Sequence, residues 1–323
     1  MAVTKIGYHA SHEQFAPSAL LRYVQLAERA GFDCAKSSDH FNPWSERQAQ
    51  SGFAWSWLGA AMQATSLPFG IISAPGYRYH PAVLAQAAAT IGEMFPERLA
   101  WLALGSGEHL NESITGMPWP DKQERNAKLK ECAEVTRALF AGETVTHRGR
   151  ITVIEAKLWS RPEMAVPIFG AAVTVETARF VGGWADGLLM TGGTPDDIRK
   201  RIDAFRDGGG EGKPVVVQDA ICWAPTEDDA IALGMDQWVW AVVGGDAAWD
   251  LRRPRDFDAA SKHVSEDDLR ALVPVSSDLK FHTDRLAEIV ALGVDELHLL
   301  QVGRNHEAFI ETFGAKVLPH LRG

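Results

Sequence analysis

A short apolar run followed by a segment of helical period, repeated eight times, most narrows what this 323-residue chain can become. Ile6-Gly7-Tyr8-His9 reads as the first strand. Pro17 to Ala30 follows, with Leu20, Tyr23, Val24, Ala27 and Ala30 on one face and Gly31 just beyond as a stop signal. Further strands are expected at Phe32 to Lys36, Phe69 to Ile72, Leu99 to Leu104, Pro167 to Gly170, Gly187 to Met190, Val215 to Cys222 and Leu297 to Leu300. Helices are expected between them, at Trp55 to Ala64, Pro81 to Phe95, Arg125 to Phe140, Val175 to Trp184, Asp196 to Phe205, Asp228 to about Trp240 and Thr283 to Leu292. Phe309 to Leu321 closes the chain. Two stretches break the rhythm and read as insertions. Residues 144–160 are β-rich and suit a hairpin, and residues 243–280 are charged with little periodicity. The pattern predicts an α/β fold, a (β/α)8 TIM barrel forming one domain over residues 1–323. A doubly wound sheet would place a glycine-rich turn after the first strand, where His9-Ala10-Ser11-His12 stands instead.

Composition excludes several classes. With 46% hydrophobic and 23% charged residues the chain can bury a large core. A net charge of -10 without a basic stripe argues against a nucleic-acid partner, because such binding needs Lys and Arg to replace counterions. The three cysteines, Cys34, Cys132 and Cys222, are far apart and odd in number, which suits a reducing cytosol and no disulfide frame or zinc site. No apolar leader opens the sequence and no stretch reaches ~18 uninterrupted apolar residues. A cytoplasmic protein with no membrane span is expected.

In barrels of this kind the chemistry sits where strands empty into the following loops. Those ends read Tyr8/His9, Asp39/His40, Ser73, Gly105-Ser106-Gly107-Glu108, Gly170-Ala171-Ala172, Thr191-Gly192-Gly193, Trp223 and Gln301. Asp39-His40 delivers a carboxylate beside an imidazole able to move a proton near neutral pH. The glycines at 105 and 107 let backbone N–H groups approach a flat or anionic ligand, and Glu108 is expected to share the space of His40. Turn chemistry alone would also explain polar residues here, but so many converging on one face points to a small-molecule site.

Three stretches, Ser38-Asp39-His40-Phe41-Asn42-Pro43-Trp44, Tyr79-His80-Pro81-Ala82 and Gly105-Ser106-Gly107-Glu108-His109-Leu110-Asn111-Glu112, resemble the bacterial-luciferase-like superfamily. The nearest branch resembles the F420-dependent glucose-6-phosphate dehydrogenases. Trp119-Pro120 with Arg125, and Ala185-Asp186-Gly187, continue the likeness across most of the chain. The resemblance implies FMN or coenzyme F420 bound at the strand ends and a hydride passed between the ring and a small organic substrate. It implies His40 and Glu108 as proton-handling residues, with Asp39 beside the ring and helping to orient His40. Trp44 would wall the substrate, and Trp238, Trp240 and Trp249 are candidates to close over it. Cofactor contacts would come from Asp39, Ser73, Ala74, Gly105, Ser106, Gly107, Asn111, Ala172, Val173 and Thr174. A non-proline cis peptide is implied at Ser73-Ala74. A homodimer is expected.

Two departures bear on cofactor and substrate. The family's Gly-Gly-Pro turn after strand five is here Ala172-Val173-Thr174, which removes the close backbone approach to a cofactor phosphate and leaves FMN and F420 both open. The lysine those dehydrogenases carry after strand six is absent from Thr191-Gly192-Gly193-Thr194-Pro195, which counts against glucose 6-phosphate. The competing readings are an FMN-dependent monooxygenase, a metal-dependent hydrolase using His9, His12 and Asp39, and a non-catalytic flavin-binding protein.

Overall fold

The computed structural model describes residues 3–322. Eight parallel strands close on themselves: β1 (Lys5–Ala10), β2 (Cys34–Ser38), β3 (Phe69–Ser73), β4 (Leu99–Leu104), β7 (Ile168–Ala172), β8 (Gly187–Thr191), β9 (Val215–Trp223) and β11 (Glu296–Gln301), which returns to pair with β1. The hairpin strands β5 (Val145–Arg148) and β6 (Thr152–Ala156) stand outside the barrel, and the two-residue β10 (Val275–Ser276) pairs with the end of β9. The expected eight-stranded α/β barrel is therefore present.

The surrounding helices are α1 (Pro17–Arg29), α2 (Ala54–Ala64), α3 (Pro81–Met94), α4 (His109–Glu112), α5 (Lys122–Phe140), α6 (Val175–Gly182), α7 (Pro195–Phe205), α8 (Glu227–Gln237), α12 (Leu279–Val290), α13 (His306–Lys316) and α14 (Leu318–Leu321). Their starts follow local chemistry. Pro17, Pro81 and Pro195 occupy first helical positions, and the side chains of Asp121, Thr174, Thr194 and Thr226 accept backbone N–H groups of the first turn. Residues 243–280 contain three short helices, α9 (Gly245–Asp250), α10 (Pro254–Ala260) and α11 (Glu266–Leu272), each too short to display a period in the sequence. The Asp278 cap starts α12 at Leu279, earlier than Thr283, and α8 ends at Gln237 rather than near Trp240.

Strand alternation sends one set of side chains outward to the helices and the other into the lumen. The lumen holds an apolar plug of Trp101, Ala103, Phe169, Leu189 and Val216, with Trp101 and Phe169 stacked at 5.6 Å. A Cβ on Gly70 would lie 2.1 Å from the Trp101 ring, so only glycine fits beneath that indole. Beside the plug lies a polar column. Lys36 Nζ approaches His9 Nδ1 at 3.2 Å and donates to Gln218, and His298 Nε2 lies 2.8 Å from Glu296 Oε2. Burial pushes the Lys36 ammonium down to about 7. The three cysteines are free and buried.

Candidate active site

Strand β2 ends at Ser38 and releases Asp39 and His40 onto the rim, where the chain turns back under the start of α4. Asn111 fixes that turn. Its Oδ1 accepts from the backbone N–H groups of Phe41 (2.9 Å) and Asn42 (3.0 Å), while its Nδ2 donates to Glu108 Oε2 at 2.8 Å. The amide is thus spent on joining two loops. Glu108 Oε2 lies 3.6 Å from His40 Nε2, with the two side chains 22% and 13% exposed. The rim brings imidazole and carboxylate together within reach of a ligand.

The partner on the other ring nitrogen is Glu13, whose Oε1 lies 3.1 Å from His40 Nδ1. That approach falls outside hydrogen-bonding geometry. Ser38 and Ser11 both donate to Glu13. Burial alone would raise the Glu13 carboxyl, but His40, a backbone N–H, His12 and Ser38 outweigh it and hold the group below its ordinary value. Glu13 was absent from the residues expected from sequence. It stands three residues beyond β1, on the first of the loops that leave the strand ends.

Asp39 does not orient His40, contrary to expectation. Its carboxylate is turned away, accepting from Ser73 Oγ (2.7 Å) and Tyr79 Oη (3.1 Å) and pairing with Arg78 at 3.2 Å. Arg78, which sequence reading also missed, bonds the Asp39 carbonyl at 2.7 Å and lies 3.7 Å from Glu112. Burial is the main force lifting Glu112 to about 7, with Glu108 and Asp39 adding repulsion against Arg78. The folded protein therefore keeps a proton there between pH ~4.5 and 7 that an unfolded chain would release. That term weakens stability as pH rises through this window and levels off above 7. Glu112→Gln keeps the acceptor for the Arg78 N–H and abolishes the titration. Its urea midpoint relative to wild type is expected to improve from pH 5 to pH 8, by a free energy on the order of 2–3 kcal/mol. A pH-independent difference would contradict the assignment.

Trp44 stacks on Trp240 at 4.4 Å and nearly parallel, with Phe257 edge-on at 5.4 Å and His40 at 5.3 Å. Trp238 packs against Trp240 at 4.8 Å, and Trp249 is half-buried on α9. The segment after α8 and the insertion helix α10 thus build an aromatic wall beside the imidazole.

The peptide bonds of the described residues are all trans, so the cis bond implied at Ser73-Ala74 is not present. The Ser73 carbonyl accepts from Gly105 N–H at 3.0 Å and its hydroxyl takes the Trp55 indole N–H, which carries β3 into its loop in ordinary geometry. Gly107 adopts φ 82°, and a Cβ there would lie 3.0 Å from Glu112 and 3.6 Å from Ala74, so the loops after β3 and β4 close on each other through glycine. Ala172 ends β7, half-exposed Val173 follows, and Thr174 caps α6. His9, His12 and Asp39 do not converge: His9 faces Lys36, and His12 bonds Ser37.

These residues fit a flat ring with polar edges. Small residues, Ala74, Gly105, Ser106 and Gly107, lie near Glu108, and Tyr77 Oη is buried without a hydrogen-bond partner among the described residues.

Comparison with known proteins matches residues 1–296 to the luciferase-like monooxygenase family. The chain is 33% identical over 329 residues to the F420-dependent glucose-6-phosphate dehydrogenase of Microbacterium testaceum (strain StLB037), covering 98% of this chain and 97% of that protein. It is 31% identical over 336 residues to the enzyme of that name from Mycobacterium tuberculosis (strain ATCC 25618 / H37Rv), covering 100% and 99%. Among solved structures, an F420-dependent secondary alcohol dehydrogenase in complex with an F420-acetone adduct superposes with a TM-score of 0.91 at 28% identity, covering 100% of both chains. The barrel and its rim are those of an oxidoreductase that works with FMN or coenzyme F420. The chain belongs to the luciferase-like monooxygenase family.

Proposed function

We propose that the protein passes a hydride between coenzyme F420 and a small uncharged secondary alcohol or the matching ketone. The observation that carries this reading is His40, held between Glu13 and Glu108 against the Trp44, Trp240 and Phe257 wall. When bound, the ring of the cofactor supplies or accepts the hydride. His40 takes the proton of the substrate hydroxyl during oxidation and returns it during reduction. Carboxylates beside both ring nitrogens keep the imidazole aimed and compensate its charge. Glu108, fixed by Asn111, would relay the proton on the cofactor side. Trp44 and Trp240 exclude water and favour an apolar substrate body. Asp39, Ser73, Ala74, Gly105, Ser106 and Gly107 would hold the ring, and Ala172, Val173 and Thr174 its phosphate, at the positive end of α6.

An uncharged substrate is favoured by how the cations near the β8 exit are used. Arg201 donates to Thr191 Oγ1 (3.0 Å) and the Gly192 carbonyl (2.8 Å), and Arg285 clamps Asp219 bidentately while bonding the Gly193 carbonyl. Both guanidiniums serve the protein rather than a phosphate. Mixing the enzyme with oxidised F420 and 2-propanol is expected to bleach the cofactor, with glucose 6-phosphate inert. Turnover of the sugar phosphate alone would overturn the substrate class, and oxygen consumption with reduced FMN would favour the monooxygenase reading.

The homodimer would use the apolar surface of Phe53, Val83 and Ile154, each more than half exposed and joined across the His80–Thr152 hydrogen bond. Light scattering should give twice the 35.3 kDa chain mass, and a monomer at micromolar concentration would refute it.

A further inference from the structure

A second cluster of ligating side chains lies inside the barrel, at the end opposite the rim. Cys34 opens β2 and Glu296 opens β11, with His298 two residues further along the same face of that strand. The thiol, an imidazole nitrogen and a carboxylate oxygen all lie within 4.8 Å of one another. His298 Nε2 is the shared corner, 2.8 Å from Glu296 Oε2 and 3.8 Å from Cys34 Sγ. Its Nδ1 has no hydrogen-bond partner among the described residues and lies against Gly7. A Cβ on Gly7 would come within 2.2 Å of that nitrogen and 2.9 Å of the thiol, so glycine in β1 is what lets ring and thiol share the space. The Trp101 indole N–H donates to Glu296 Oε2 at 3.0 Å and holds the carboxylate in place. Spacing along the chain gives no hint of this cluster, since 264 residues separate Cys34 from His298.

We propose that Cys34, His298 and Glu296 bind one zinc-class divalent ion, with water as the fourth ligand, as a structural clamp tying β2 to β11 across β1. A His–Glu hydrogen bond would account for two of the three groups; the thiol beside the same nitrogen supplies the third ligand. Tetrahedral zinc, with bonds of about 2.0–2.3 Å, spaces its ligand atoms about 3.3–3.8 Å apart. The thiol already stands at that separation from Nε2, and the carboxylate needs to withdraw by only about half an ångström. The charges also balance. A divalent ion with one thiolate, one carboxylate and a neutral imidazole sums to zero, the net charge a buried site tolerates best. Lys36, the cation of the polar column, is committed to Gln218 and His9. The His298 side chain is fully buried but that of Glu296 is 11% exposed, which makes the carboxylate the side from which an ion enters. The clamp is independent of the cofactor and substrate readings.

Cobalt(II) is the probe, because it takes zinc sites and reports a bound thiolate by charge-transfer absorption. Untagged full-length protein is stripped of metal, then given Co2+ either in the native state or during refolding from urea. Wild type is expected to show the thiolate band by at least one route, saturating at one ion per chain. Zinc at a hundredfold excess over its dissociation constant should raise the melting temperature by about 5 °C. Cys34→Ser should lose both effects, while Cys132→Ser and Cys222→Ser, at the other two buried cysteines, should keep them. Glu296→Gln retains an acceptor for the Trp101 indole but not the charge, and should weaken cobalt binding about 10-fold or more even if Cys34→Ser does not fold. A surface site such as His147 with Glu131 could bind cobalt but would give no thiolate band. Absence of the band in wild type by both routes overturns the proposal, and so does a band that survives Cys34→Ser or binding unchanged in Glu296→Gln.

Discussion

Replacing His40 with alanine is expected to lower kcat by about 100-fold or more while leaving the cofactor dissociation constant nearly unchanged, the usual loss when a positioned acid–base group is removed. The separation of the two quantities is the informative part. His40 meets Glu13 and Glu108 through its two ring nitrogens and Trp44 edge-on, the corner of the rim to which the proposal gives the substrate proton. Residues expected to hold the ring are fastened independently, Asp39 by Arg78 and Ser73, and Asn111 by the Phe41 and Asn42 backbone. A variant with near-wild-type turnover would remove His40 from the mechanism. Parallel loss of cofactor binding and turnover would show a collapsed rim instead.

The largest expected stability effect comes from Arg78→Ala. The arginine side chain is 8% exposed, and the carboxylates it faces, Asp39 and Glu112, are 0% and 1% exposed. Above pH 7, where Glu112 is ionised, its removal strands two carboxylates in a poorly solvated pocket, a change that typically costs about 3–5 kcal/mol, a large part of a domain's whole stability. Without the guanidinium the Glu112 carboxyl, already lifted to about 7 by burial, would hold its proton more tightly still in the folded state. Folded protein then binds the excess protons, so the deficit must grow as pH rises. Urea midpoints at pH 5 and pH 8 should show a larger loss at the second than at the first. A deficit below about 1 kcal/mol at pH 8 would mean that the cluster is better hydrated than its burial implies.

Legibility of the site followed the distance over which its interactions act. Asp39 and His40 could be located because they directly follow a strand, and Glu108 because a glycine-marked turn leads to it from β4; strands announce themselves by apolar runs bounded by turn residues. Glu13 lies only three residues past β1, yet nothing local marks it; its role depends on the return of the β2 loop to the same corner. Arg78 reads as an ordinary loop cation until Asp39 and Glu112 arrive from two other loops. Asp39 shows the opposite error. Adjacency to His40 along the chain suggested a pair, but the two side chains of an extended dipeptide point apart, and Asp39 was free to face β3.

By itself the sequence determined the barrel, because strand and helix periods, proline starts and polar caps are carried by a few neighbouring residues and repeat eight times. It also determined which rim carries polar chemistry, since chain direction sets which end of every strand enters its loop. Only the tertiary structure decided which carboxylate serves the imidazole, which aromatic stacks on Trp44, and that Asn111 spends its amide on loop joining. Those outcomes are set by the pairing of buried polar and aromatic groups from different loops. Such pairing is a competition among partners distant along the chain, and no local pattern records the winner.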